Sequence, residues 1–152
     1  MSDSAIQGYI QDLIQADSNF GDDDVTLGDY LVLSGHSAPY SVILPGRIVS
    51  AARSGDWAQV NVVWEHTIEV FEQFVNDSYS DFTTARQAVV DAIGENPTLG
   101  GQSEISNAYV REATPPRYLY MQGTTERPSY VFSRLTVRST EEVSHAGSGE
   151  FT

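Results

Sequence analysis

From Ala38 to Phe74 the chain reads APYSVILPGRIVSAARSGDWAQVNVVWEHTIEVFEQF, and this stretch decides the fold. Tyr40 to Leu44 is an almost unbroken run of aromatic, β-branched and aliphatic residues between Pro39 and the Pro45-Gly46 pair, the pattern of a short buried strand. From Trp57 onward Val60, Val62, Trp64, His66, Ile68, Val70 and Phe74 share one face at a period of two, while Glu65, Thr67, Glu69 and Gln73 share the other. Successive strand side chains point to opposite faces, so this spacing predicts a long strand with one apolar face and one wet face. Between the two strands, Arg47 to Asp56 either extends them as a hairpin arm turning at Ser54-Gly55-Asp56 or forms a loop.

Upstream, Ile6, Tyr9, Ile10, Leu13 and Ile14 make one stripe at helical spacing, with Ser4 as the expected N-cap. The acidic run Asp17 to Asp24 reads as a loop punctuated by Gly21 and Gly28, and Asp29 to Ser34 as a short strand. Downstream, Phe82, Ala85, Val89, Val90 and Ile93 repeat the helical spacing behind Ser80 and Asp81, and Gly94 stands where a left-handed C-cap is expected. Pro97 to Gly101 is a turn, Ser103 to Glu112 a strand, Pro115-Pro116 a break, Arg117 to Met121 a short strand and Tyr130 to Thr140 the last strand. This order predicts an α+β domain over residues 1–143, a mostly antiparallel sheet of four to five strands with two helices packed on one face. The remaining 144–152 has too little apolar material to order itself and is expected to be a flexible tail.

Composition narrows the function. The chain of 152 residues carries 21 acids against eight basic residues, all arginine, for a net charge of −13. Binding that neutralises nucleic-acid phosphates needs clustered Lys and Arg, and this balance argues against it. Cysteine is absent, which removes thiol chemistry, disulfides and thiolate metal sites. No apolar run approaches the ~20 residues of a membrane helix, and Met1-Ser2-Asp3-Ser4 lacks the features of a signal peptide, so a soluble, unprocessed chain without a membrane partner is expected.

Catalytic patterns are missing in the same way. Asp22, Asp23, Asp24 and Asp29 could together hold a hard cation, but their spacing is not that of an EF-hand, and a solvated acidic loop is the plainer reading. His36, His66 and His145 are isolated, and His66 reads as a hydrogen-bonded core or interface residue. No serine sits in a nucleophile elbow, and Leu99-Gly100-Gly101 follows a helix instead of opening one, so it builds no phosphate site. Glu69 with Glu72, or Glu65 with Glu69, could be imagined as acid and base, but acids two or four apart on a strand mark its wet face. No catalytic residue, cofactor or metal is expected. Arg117, Tyr118, Tyr120, Arg127, Tyr130, Phe132 and Arg134 are either interface residues or an ordinary strand pair.

With these elements placed, Ala38 to Gly46, the strand through Trp64-Glu-His-Thr-Ile-Glu-Val-Phe71, the helix at Phe82 to Ile93, the Pro97 to Gly101 turn and the strand at Phe132 to Val137 resemble the tail terminator proteins of long-tailed bacteriophages. The resemblance covers roughly Ser4 to Val143. It implies a structural virion protein and no enzyme: a ring of six copies that caps the tail tube, meets a head-side connector protein, and lets genomic DNA pass through its lumen without specific binding. It implies assembly in the host cytoplasm and residence in the tail or neck of the virion. Subunit contacts are then expected at Arg47, Arg53 and Trp57 and at Arg117, Tyr118, Arg127 and Tyr130, with Asp22, Asp23 and Asp24 meeting a neighbouring ring. The alternatives are another neck protein, a head completion or connector ring, and a small-ligand-binding α+β domain using Trp57, Trp64 and His66 as a pocket wall.

Overall fold

Two 15-residue strands form the spine of the molecule, β4 (Gln59–Gln73) and β7 (Tyr130–Ser144), paired antiparallel along their whole length. The computed structural model describes residues 1–17, 20, 24–28, 39–53, 59–73, 78–120 and 130–144. On the far side of β4 lie β2 (Tyr40–Ile43), against Ile68 to Phe71, and β3 (Arg47–Arg53), against Val60 to Glu65. On the far side of β7 lie β5 (Ile105–Ala113) and β6 (Arg117–Leu119), and β1 (Val25–Leu27) pairs with β2. The described strands number seven, in the order β1-β2-β4-β7-β5, with β3 and β6 sharing the columns of β2 and β5. Four to five strands were expected; the excess arises because each long central strand is flanked by two short ones, and because β1 lies where the sequence reads as loop. The pairing of β1 with β2 is parallel and the other pairings are antiparallel.

Both helices lie on one face. Helix α1 (Asp3–Gln15) buries Ile6, Ile10 and Ile14, and helix α2 (Ser78–Gly94) buries Phe82, Ala85, Val89 and Ile93. These residues close over Val60, Val62, Trp64, Ile68 and Val70 of β4 and Val131, Leu135 and Val137 of β7 to form the main core. The period-two reading of β4 therefore holds from Val60 to Val70, with His66 among its fully buried residues, and Phe74 lies outside the described residues.

Helix ends differ from the sequence reading. Ser2, not Ser4, caps α1, its Oγ accepting from the Ala5 amide at 3.2 Å while its backbone stays extended. Gly94 is not a left-handed cap: hydrogen bonding continues past it, from the Glu95 amide to Asp91 O at 2.8 Å and from the Asn96 amide to Ile93 O at 3.1 Å. The left-handed residues come later, at Leu99 (φ 53°), Gly100 (φ 82°) and Gly101 (φ 91°). Leu99 is a rare non-glycine at positive φ, and its side chain, 1 % exposed, plugs the core, which explains why the turn tolerates the cost. The strand expected at Asp29 to Ser34, like His36, His145 and residues 145–152, lies outside the described residues; Ser144 still belongs to β7.

Candidate subunit interface

The sheet face away from the helices collects arginine tips over a floor of glutamates. Odd residues of β4 and even residues of β7 stand opposite each other on it, in the rows Glu65–Arg138, Thr67–Thr136, Glu69–Arg134 and Phe71–Phe132. Glu65 is the hub. Its Oε1 accepts from Arg47 of β3 at 3.1 Å, its Oε2 accepts from Arg138 Nε at 3.2 Å, and Arg111 of β5 stands 3.8 Å away. The hydrogen bond from Arg47, with that from Arg138, outweighs desolvation and holds the Glu65 carboxyl below its ordinary value. Arg134 reaches Glu69 at 3.7 Å. Glu65 is 12 % exposed while Arg47 is 75 % exposed, so acids predicted to be wet are roofed by cations that face outward.

The last of these rows belongs to an apolar, buried part of the same face. Tyr40, Phe71 and Phe132 lie in one line across β2, β4 and β7, stacked at 5.4 Å from ring to ring, and Arg117 of β6 continues the line. With Val42, this line forms a second small core that Leu44 and Leu119 pack against. Burial, then the nearby Tyr130 and Glu69, pushes the Tyr40 phenol up.

The helix side carries a polar cluster around the buried His66. Asp3, at the start of α1, accepts from Gly46 N at 3.0 Å and Gln7 Nε2 at 3.0 Å and meets His66 Nε2 at 2.7 Å. Burial lowers the affinity of the His66 ring for a proton, against the opposing pull of Asp3. Burial works against the Asp3 charge, but the Gly46, Gln7 and His66 contacts prevail and keep its carboxyl below the ordinary value. Arg86 of α2 donates to Ser133 Oγ at 2.9 Å and to Thr114 O at 3.0 Å, tying the helix to β7 and the β5–β6 connection. Between the end of α1 and α2 an open groove of about 680 Å³ is lined by Asp17, Thr83, Gln87, Asp91 and Glu95 among others.

The sheet separates the predicted contact residues into two groups. Arg47 and Arg53 bound β3 on one flank, and Arg117, Tyr118 and Tyr130 gather at the β6–β7 corner on the other. Tyr118 is 47 % exposed and Arg53 is exposed. Asp24 lies directly before β1, and Asp22, Asp23, Trp57 and Arg127 fall outside the described residues. Trp64 and His66 are buried core residues stacked 6.0 Å apart, and neither lines the groove between α1 and α2. Among the described residues no three His, Asp or Glu side chains cluster to hold a metal, and no helix is long and apolar enough to cross a membrane. Sequence reading missed the Glu65 hub and the aromatic row. The signal was present in the two alternations, glutamates on one side of β4 and arginines on one side of β7, but only the register brings them together.

No family model matches the sequence, and no curated protein matches it. Solved structures do match in fold. A chain from the virion of a native gene transfer agent particle superposes with a TM-score of 0.64 at 15 % identity, covering 90 % of this chain and 94 % of that one. The sheath/tube terminator of an extracellular contractile injection system, PVC, in its extended state superposes with a TM-score of 0.51 at 17 % identity. That match covers 95 % of this chain and 57 % of the terminator. The chain shares its fold with these two proteins. One of the two is a sheath/tube terminator, and the order of sequence motifs resembles tail terminators as well.

Proposed function

We propose that the protein is a structural terminator of a phage-like tail, closing as a six-membered ring on the tail tube and presenting its other side to a head-side connector. The observation that carries this reading is the fold likeness to a sheath/tube terminator over 95 % of the chain. The outward arginines Arg47, Arg117 and Arg134, the exposed Tyr118 and Tyr120 and the β3 arm supply surfaces of the composition that protein interfaces favour. The Asp22 to Asp24 segment and the 144–152 tail are assigned to contacts with a neighbouring ring.

The charge fits the passage of DNA through such a ring. Asp12, Asp81, Asp91 and Glu95 are exposed on the helix layer, while Glu65 and Glu69 on the open sheet face are matched by arginines. With a net charge of −13 per copy, a ring surrounds passing DNA with excess carboxylate, which repels phosphate and prevents adhesion. Particles assembled without the protein should show heads and tails that fail to join, or tubes of uncontrolled length, in electron micrographs. Normal tailed particles in its absence contradict the assignment.

A further inference from the structure

We propose, resting on the ring reading, that the free edge of β3 in one copy pairs antiparallel with the free edge of β5 in the next, so that neighbouring sheets join edge to edge around the ring. Among the described residues β3 has β4 on one side and no strand on the other, and β5 has β7 on one side and no strand on the other. An unpaired edge presents a row of backbone donors and acceptors, a template for strand addition.

The two edges stand at the same height. β3 lies against Val60 to Glu65 of β4. β5 lies against Leu135 to Glu141 of β7, whose partners on β4 are Ile68 to Val62. Their polarity also matches. β3 opposes β4, β4 opposes β7 and β7 opposes β5, so β3 and β5 run in opposite directions. Rotation about an axis along the strands preserves strand direction, so neighbours in a ring meet as an antiparallel ladder with neither copy inverted. Such a contact joins two different patches, the heterologous kind that closes into a ring when the rotation closes.

Side chains agree with this pairing on both faces. Reading across the spine gives the rows Arg47–Glu65–Arg138–Tyr109, Ile48–Trp64–Ser139–Ala108, Ser50–Val63–Thr140–Asn107 and Ala51–Val62–Glu141–Ile105. Carried across the junction at equal height, Ile48 meets Ala108 and Ala51 meets Ile105 on the helix side, while Arg47 meets Tyr109 and Ser50 meets Asn107 on the open side. A slip of one residue would put apolar against polar. Ile48 is 50 % exposed in the single chain, and the junction would cover it. The run Ile48 to Ala52 has no charge or proline to block pairing, and Arg53 ends it near the level of Glu104, which precedes β5. Bulges at Ile48/Ser50 in β3 and at Ile105/Asn107 and Val110/Glu112 in β5 make these edges poor templates for unmatched strands.

The cysteine-free chain gives a clean test. Paired residues of an antiparallel ladder have Cα atoms about 4.5–5.5 Å apart, within the reach of a disulfide. Under mild oxidation the double variant Ser50→Cys/Asn107→Cys should give a ladder of linked copies on a non-reducing gel, while a mixture of the two single variants should stop at dimers. Ser50→Cys/Tyr109→Cys tests the register staggered by two residues. Circular dichroism of the single variants checks their folding, and native mass spectrometry in reducing buffer reports whether rings form. Rings without a ladder from either double variant overturn the edge pairing and leave the ring reading standing. A strict monomer at every concentration overturns both.

Discussion

Gly46 and His66 meet so closely that a methyl group on Gly46 would stand 2.4 Å from His66 Nε2, in steric overlap with the imidazole ring. His66 cannot retreat, because it is fully buried, stacked beside Trp64 and held by Asp3 at 2.7 Å. The glycine is required by space, and the Pro45-Gly46 turn locks the link between β2 and β3 onto the start of α1.

Gly46→Ala is therefore an overpacking substitution. It should destabilise the protein by about 1–3 kcal/mol, read as a lower urea midpoint, with the largest loss of amide protection in the first turn of α1. An unchanged midpoint would mean that the ring moves aside freely.

Phe71 is 1 % exposed and stacks on both Tyr40 and Phe132. Phe71→Ala should cost about 3–5 kcal/mol, as for any large core aromatic, although it lies on the face the helices leave open. A loss under about 1 kcal/mol in denaturant unfolding would show that this second cluster adds little.

The legible part of this structure was whatever one element carries alone. The period of two in Val60 to Val70 gave the long strand and its buried face, and the spacing of Ile6 to Ile14 and Phe82 to Ile93 gave both helices and their inward sides. What stayed hidden depends on partners distant in sequence. β1 has three residues and owes its strand form to pairing with Tyr40 to Ile43. Phe71 shares its face with Glu65 and Glu69, and its burial goes with partners distant in sequence, Tyr40 and Phe132 stacked on either side of it. Helix α2 does end at Gly94, as its composition suggests, but the left-handed turn falls at Leu99, where a core position wants the leucine side chain.

Glu65 gathers Arg47, Arg138 and Arg111 from three strands. Glu65→Ala leaves these cations facing one another, and stability should fall by about 1 kcal/mol, a modest figure because Arg47 and Arg111 are open to solvent. Added salt should recover part of that loss by screening the repulsion. A salt-independent loss would point to packing instead of charge.

Glu72 and His66 give opposite dependences on pH. Burial, then the Asp81 charge, pushes the Glu72 carboxyl up to about 7 from an ordinary 4.5. Between those values the native state holds a proton that the unfolded chain has released, so this group adds stability as pH falls through 7 and costs most above it. The native His66 ring resists the proton that the unfolded chain takes near 6.5, so its contribution is present above that value and is lost on acidification. Glu72→Gln should therefore raise stability at about pH 8 by about 1–2 kcal/mol and leave a profile that declines below about pH 6.5. Urea unfolding across this range checks it, and a less stable variant at the alkaline end contradicts it.

The most direct measurement is native mass spectrometry of the purified chain across a concentration series, with negative-stain electron microscopy of the same samples. The proposed terminator role predicts closed six-membered rings with a central hole that grow in population with concentration. A strict monomer throughout, or a closed two-fold dimer that never grows, contradicts it.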